Sequence, residues 1–238
     1  CTDVKEKSLS SKITSFQVPT GACASVKSTP VVVNGVLLMP YFEKGANTGC
    51  ADGETGPYAK SLLGYNPSTG DVHHLLDGAA TEGTLAYDSS TGRVYWPVMA
   101  AGALWIVDAG SLDVEVKVSK IEAQTDSHGT FLDGLYYFGT VNAPGGACNG
   151  NALNKDCGAV FAVDSKGNVK HRLDVDRGFR TWVVGGPTTD GTNLYVGGSP
   201  ECSGDICWPD ERGYKYRYGC SAVKLDKSLN IKGAFDPG

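Results

Sequence analysis

Residues 85–98 read LAYDSSTGRVYWPV, and residues 103–118 read ALWIVDAGSLDVEVKV. In the first stretch, Ser90-Thr91-Gly92 separates two apolar runs. In the second, Asp108 closes an apolar run and an alternating run follows the turn. Gly supplies the positive φ that tight turns need, and an Asp that ends a run captures its own backbone to start a turn. Together the two stretches spell four short strands, A-B-C-D, joined by tight connections.

The same sentence recurs along the chain. TPVVVNGVLLMPY (29–41), GTFLDGLYYFGTV (129–141) and PTTDGTNLYVGG (187–198) repeat the A–B hairpin, with turns at Asn34-Gly35, Asp133-Gly134 and Asp190-Gly191. Asn-Gly and Asp-Gly favour two-residue hairpin loops. SLLGYNPSTGDVHHLL (61–76), AVFAVDSKGNVKHRLDV (159–175) and SAVKLDKSLNIKGAF (221–235) repeat C–D, opening their turns at Asn66, Asp164 and Asp226. Four-stranded units repeating at about 40–60 residues predict an all-β fold, a β-propeller of antiparallel blades. One such unit cannot bury both its faces, whereas units stacked around an axis can. The expected blades span about 28–78, 82–122, 127–177 and 184–238, within a single propeller domain or propeller fragment over 1–238.

The opening residues add a fifth element. CTDVKEKSLSS (1–11) resembles CSAVKLDKSLNI (220–231), and residues 1–18 fit C–D with Glu6 in place of the turn-opening Asp. A C–D half-blade is therefore expected at 1–18, without an A–B partner. The reading adopted is a piece of a longer propeller. The alternatives are a ring completed by another copy or a companion chain, or an added strand outside a four-bladed ring.

Composition sets the outer limits. The 238 residues are 41% hydrophobic and 20% charged, with formal net charge −5 and no basic run, which argues against a nucleic-acid partner. No apolar stretch is long enough for a membrane-spanning helix. The chain opens on Cys1 without Met, and we expect that a leader was removed. Eight cysteines, at 1, 23, 50, 148, 157, 202, 207 and 220, predict disulfides in an oxidising place: secreted, extracellular or periplasmic. Cys202 and Cys207 are too widely spaced for a zinc knuckle. Expected pairs are Cys148–Cys157, Cys202–Cys220 (with Cys207 as alternative partner) and Cys23–Cys50. Cys1 and one blade 4 cysteine are left over.

Three of the four B–C connections are long: EKGANTGCADGETGPYAK, NAPGGACNGNALNKDC and SPECSGDICWPDERGYKYRYGC. A propeller brings all B–C connections to one face, so these stapled loops would share a binding surface. The last is the richest in anchors. Trp208, Asp210, Arg212, Tyr214, Tyr216 and Tyr218 are the expected ligand-binding residues, for a protein partner or a glycan whose ring face stacks on aromatics. Asp210-Glu211-Arg212 also reads as a solvated turn.

The starts of strand A line the channel mouth. They align Ser28, Glu82, His128 and Gly185, with Asp126, Arg180 and Trp182 close by in sequence. Glu82 and His128, with Asp126 and Arg180, are the catalytic candidates, for acid–base work or a metal; the blander reading is a polar channel lining. Asp52 and Glu54 are weak calcium candidates, as are Asp174 and Asp176, and none forms a twelve-residue calcium loop. His73 and His74 are consecutive on a strand and make poor joint ligands.

AYDSSTGRVYW resembles the repeat of the quinoprotein-like, or PQQ-type, propellers, A-x-D-x-x-T-G-x-x-x-W, at Ala86, Asp88, Thr91, Gly92 and Trp96. YNPSTG and VFAVDSKG match in part. The match falls on A–B where the family places it on C–D. The resemblance implies a propeller and either a quinone-dependent alcohol dehydrogenase or a non-catalytic assembly protein. The adjacent Cys-Cys pair that those dehydrogenases carry near their cofactor is absent. The expectation is a secreted binding module. The alternatives are a quinone- or metal-dependent enzyme and a structural subunit of an extracellular assembly.

Overall fold

The computed structural model describes residues 24–25, 29–44, 58–76, 84–97, 104–118, 128–140, 159–174, 186–198, 208–209, 215–216 and 221–235. Every regular element among them is a strand, and every pairing is antiparallel. No described helix is long and apolar enough to cross a membrane.

The first sheet contains β1 (Ala24–Ser25), β2 (Val31–Val33), β3 (Val36–Lys44), β4 (Tyr58–Tyr65) and β5 (Val72–Leu76). Both β1 and β2 pair with β3. The second is β6 (Ala86–Asp88), β7 (Arg93–Pro97), β8 (Leu104–Asp108) and β9 (Val114–Lys117), in that order. The third is β10 (Gly129–Leu132), β11 (Leu135–Thr140), β12 (Ala159–Val163) and β13 (Val169–Asp174). The fourth holds β14 (Thr188–Thr189) and β15 (Leu194–Gly198), then β18 (Ser221–Leu225) and β19 (Ile231–Phe235). Between β15 and β18 in the chain lies a separate two-stranded ribbon, β16 (Trp208–Pro209) with β17 (Lys215–Tyr216).

The turns follow from their residues. Asn34 and Gly35 both have positive φ (50° and 82°), as do Asp133 and Gly134 (49° and 75°). Each pair closes the two-residue loop whose twist matches the strands it joins. Asp190-Gly191 does not. Its loop holds four residues, because Thr189 pairs with Leu194. The Asp190 carboxylate accepts the backbone N–H groups of Thr192 (2.9 Å) and Asn193 (2.7 Å) and the Tyr195 hydroxyl (2.8 Å), which widens the turn.

The C–D turns share one device. Asn66, Asp108, Asp164 and Asp226 each accept the backbone N–H two residues on, at 2.9 Å. A left-handed residue then completes each turn: Gly70, Leu112, Gly167 and Leu229. Leucine is a costly choice at φ 63° and 64°. Both leucines are almost fully buried, and each enters the apolar cluster shared with the preceding sheet.

The sheets stack face to face in chain order. Alternation along each strand gives every inner sheet two apolar faces. In the second sheet, Val94, Trp96, Trp105 and Val107 face the first, while Tyr95, Leu104 and Ile106 face the third. In the third, Tyr136, Phe138, Phe161 and Val163 face the second, while Tyr137, Val160 and Ala162 face the fourth. Leu194, Val196, Val223 and Leu225 of the fourth complete that last cluster. Trp96 and Trp105 meet edge to face, ring centres 5.4 Å apart, and Lys117 sits over the Trp105 ring at 4.2 Å. The inner strands also follow one another, β2 against β6, β6 against β10 and β10 against β14. Four-stranded antiparallel sheets, stacked by their faces with strand A innermost, make a β-propeller.

Candidate functional site

Each B–C connection leaves the sheet from a directly paired couple of residues: Lys44 and Tyr58, Pro97 and Leu104, Thr140 and Ala159, Gly198 and Ser221. Since every blade repeats the same strand order, these four exits lie at one end of the propeller. The long connections therefore leave from the end that the sequence assigned to them.

The fourth connection is organised by the ribbon β16–β17. Its register sets Trp208 directly opposite Tyr216, and Pro209 opposite Lys215. Two of the expected ligand-binding residues are thus brought to facing positions. Asp210, Arg212 and Tyr214 belong to the stretch that joins the two strands; they and Tyr218 lie outside the described residues. The sequence signal for this hairpin is Gly213 with aromatic residues on both flanks.

At the channel mouth, His128 is exposed at the start of β10. Gly186, one residue on from the expected Gly185, backs onto it. A Cβ at Gly186 would overlap the carbonyl oxygen of His128. The starts of the third and fourth inner strands therefore touch. Glu82, Asp126, Arg180, Ser28, Trp182 and Gly185 lie outside the described residues. So do Asp52, Glu54, Asp176, all eight cysteines and hence the expected disulfides. His73 and His74 occupy consecutive positions of β5, opposite Gly64 and Leu63. Among the described residues, no group of three or more His, Cys, Asp or Glu is placed to hold a metal ion.

Asp164, Asp190 and Asp226 are committed to turns. Asp164 is held down to about 2: burial pushes it up, but the Asn168 side chain and backbone and the Lys170 ammonium more than offset this. Asp226 lies lower still, through the side chains of Asn230 and Lys232 and the backbone N–H of Asn230. In Asp190 the Asn193 backbone N–H leads, followed by the Tyr195 hydroxyl. These groups stay ionised and occupied, so they serve the fold and are poor general acids.

The AYDSSTGRVYW stretch forms β6, its turn and the start of β7, the inner hairpin of the second sheet. Asp88 accepts the hydroxyls of Ser90 (2.6 Å) and Thr91 (2.8 Å) there.

No family model and no curated protein matches the chain. Solved structures of similar fold do. An acylaminoacyl peptidase from Pyrococcus horikoshii aligns with TM-score 0.52 at 10% identity, over 90% of this chain and 32% of that one. A luciferin-regenerating enzyme aligns at 14% identity and TM-score 0.46, over 84% of this chain and 60% of that one. Hydrazine synthase from Kuenenia stuttgartiensis aligns at 12% identity and TM-score 0.46, over 83% and 46%. The chain spans less than two thirds of the length of each. At these identities the likeness is one of fold and carries no activity.

Proposed function

We propose that this propeller is a secreted, disulfide-stabilised binding module. It grips a glycan or a protein partner through the end that bears the long B–C connections. The observation that carries the reading is the ribbon that sets Trp208 opposite Tyr216. Opposed positions of an antiparallel pair stand about 5 Å apart, a spacing at which facing aromatic residues can act together on one ligand. Disulfides within these connections would hold them in fixed shapes, which lowers the entropy cost of binding. Kinship with the non-catalytic PQQ-type propellers fits the Asp88–Thr91–Gly92 turn and the lack of a Cys-Cys pair.

The test is a glycan array and an array of secreted and cell-surface proteins, each probed with wild type and Trp208→Ala. Loss of at least about tenfold in affinity for a specific ligand is the expected result, because aromatic anchors carry much of the energy of such interfaces. Equal binding by both proteins removes the ribbon from the site. Metal analysis and an absorption spectrum of the purified protein test the rival reading, an enzyme using Glu82 and His128. A stoichiometric ion or quinone would displace the binding-module reading.

A further inference from the structure

Asn34 and Gly35 form the exposed loop between β2 and β3. The Asn34 side chain differs from those of the other described asparagines, which are all engaged. Asn66 accepts the Ser68 N–H at 2.9 Å. The carboxamides of Asn168, Asn193 and Asn230 donate to Asp164, Asp190 and Asp226, at 2.9, 3.3 and 3.0 Å. Among the described residues, no group bonds the Asn34 carboxamide and none accepts the Gly35 N–H.

The residue that follows each asparagine separates them again. Pro67, Val169, Leu194 and Ile231 follow the other four, whereas Gly35 follows Asn34. Proline has no N–H, and a bulky side chain crowds its own nitrogen. Glycine leaves that nitrogen bare and its peptide plane free to turn. A Cβ built at Gly35 meets nothing within 4 Å, so the space beside this peptide is open.

We propose that Asn34 is a site of spontaneous deamidation, and that its isoaspartate product loosens β2 from β3. The Gly35 nitrogen attacks the side-chain carbonyl carbon of Asn34. The new N–C bond closes a succinimide ring, and the carboxamide nitrogen departs as ammonia, taking the Gly35 N–H proton with it. Water then opens the ring at either carbonyl. One opening leaves aspartate, and the other leaves isoaspartate, whose main chain runs through Cβ.

The two products act differently on the turn. Asp133-Gly134 builds the same kind of loop, with φ 49° and 75° against 50° and 82° at Asn34-Gly35, so aspartate fits. Isoaspartate adds a methylene to the loop backbone and gives up the positive φ that a two-residue loop needs. β2 pairs with β3 only through Val31–Leu38, Val32–Leu37 and Val33–Val36, and the last of these adjoins the loop. β2 is also the strand of the first blade that meets β6. The lengthened loop therefore frees the inner strand of the first blade and weakens its contact with the second.

Ageing the folded protein in warm, mildly alkaline buffer tests this, with peptide mapping by mass spectrometry and electron-transfer fragmentation to tell isoaspartate from aspartate. Asn34 is expected to convert at least about tenfold faster than Asn66, Asn168, Asn193 or Asn230, since the intramolecular attack needs an unhindered neighbouring nitrogen. Hydrogen exchange in the aged protein is expected to be faster across β2 and unchanged in β12 and β18. Fresh Asn34→Asp carries the benign product and is expected to exchange like wild type at β2. An Asn34 that stays intact in the folded protein and converts only in urea overturns the proposal. Conversion without faster exchange in β2 overturns the loosening, as does equally fast exchange in fresh Asn34→Asp.

Discussion

The Tyr137 hydroxyl of the third sheet donates a 2.7 Å hydrogen bond to the backbone carbonyl of Lys227, in the C–D turn of the fourth. One bond thus ties a strand B to the turn of the next blade. The Lys227 ammonium reaches back to Asp133 at 3.0 Å, but both groups are exposed, and such a pair adds little. Tyr137→Phe is expected to cost about 1 kcal/mol in urea denaturation, the usual net worth of one intramolecular hydrogen bond. Lys227→Ala, which keeps the carbonyl, is expected to cost less.

The same hydroxyl gives an alkaline signature. Burial, followed by the charges of Asp133 and Asp226, pushes Tyr137 up to about 12. Burial does the same to Tyr95. A raised folded value means that the stabilisation is complete below the ordinary tyrosine value near 10 and disappears as pH climbs through the folded one. Stability followed from pH 8 to 12 should fall above about pH 10, and less steeply in Tyr137→Phe.

Acid acts through the turn carboxylates. Asp164, Asp190 and Asp226 are all lowered, so their contribution is present above the ordinary carboxylate value near 3.9 and is lost as pH falls through the folded values. Denaturation midpoints should drop progressively below about pH 4. Asp164→Asn combined with Asp226→Asn should flatten that drop while lowering stability at pH 7.

Leu112 and Leu229 set strain against burial. A left-handed leucine costs about 1–2 kcal/mol, whereas truncating a buried leucine costs about 2–5. Burial wins, so Leu229→Gly should destabilise by about 1–3 kcal/mol despite the relief of strain. The reverse exchange is also unfavourable. At Gly167, a Cβ would run into the Val116 side chain at a backbone φ of 78°.

Gly186 is fixed by its neighbour rather than by its own backbone. Gly186→Ala would drive a methyl group into the His128 carbonyl, and a loss of about 3 kcal/mol or more is expected on thermal unfolding. Gly197→Ala, which meets nothing within 4 Å, is the matched control and should stay within about 0.5 kcal/mol of wild type.

The blades were legible because turn chemistry and alternation agree. Asn34-Gly35 and Asp133-Gly134 specify their loops outright, and the Asp or Asn before each C–D turn captures its own backbone. The four-residue loop at Asp190 was not legible, since its width depends on Tyr195, five residues away in sequence, reaching back to the carboxylate. Nor was Leu112, where local preference asks for Gly and tertiary burial overrides it. Of the candidate site, the sequence supplied the residue types around Trp208 and the end of the propeller they occupy. It did not supply the facing of Trp208 and Tyr216, which is a matter of register. The nearness of Glu82 to His128 depends on an alignment of strand starts, and Glu82 lies outside the described residues.

The edge-to-face tryptophans at the junction of the first two blades have an optical consequence. Indole transitions held this close split by exciton coupling, giving a paired positive and negative band in the far-ultraviolet circular dichroism. Trp96 and Trp105 therefore carry a built-in spectroscopic gauge of the pairing of β7 with β8 inside the second blade, readable in the unlabelled protein during unfolding, ligand addition or reduction of its cysteines.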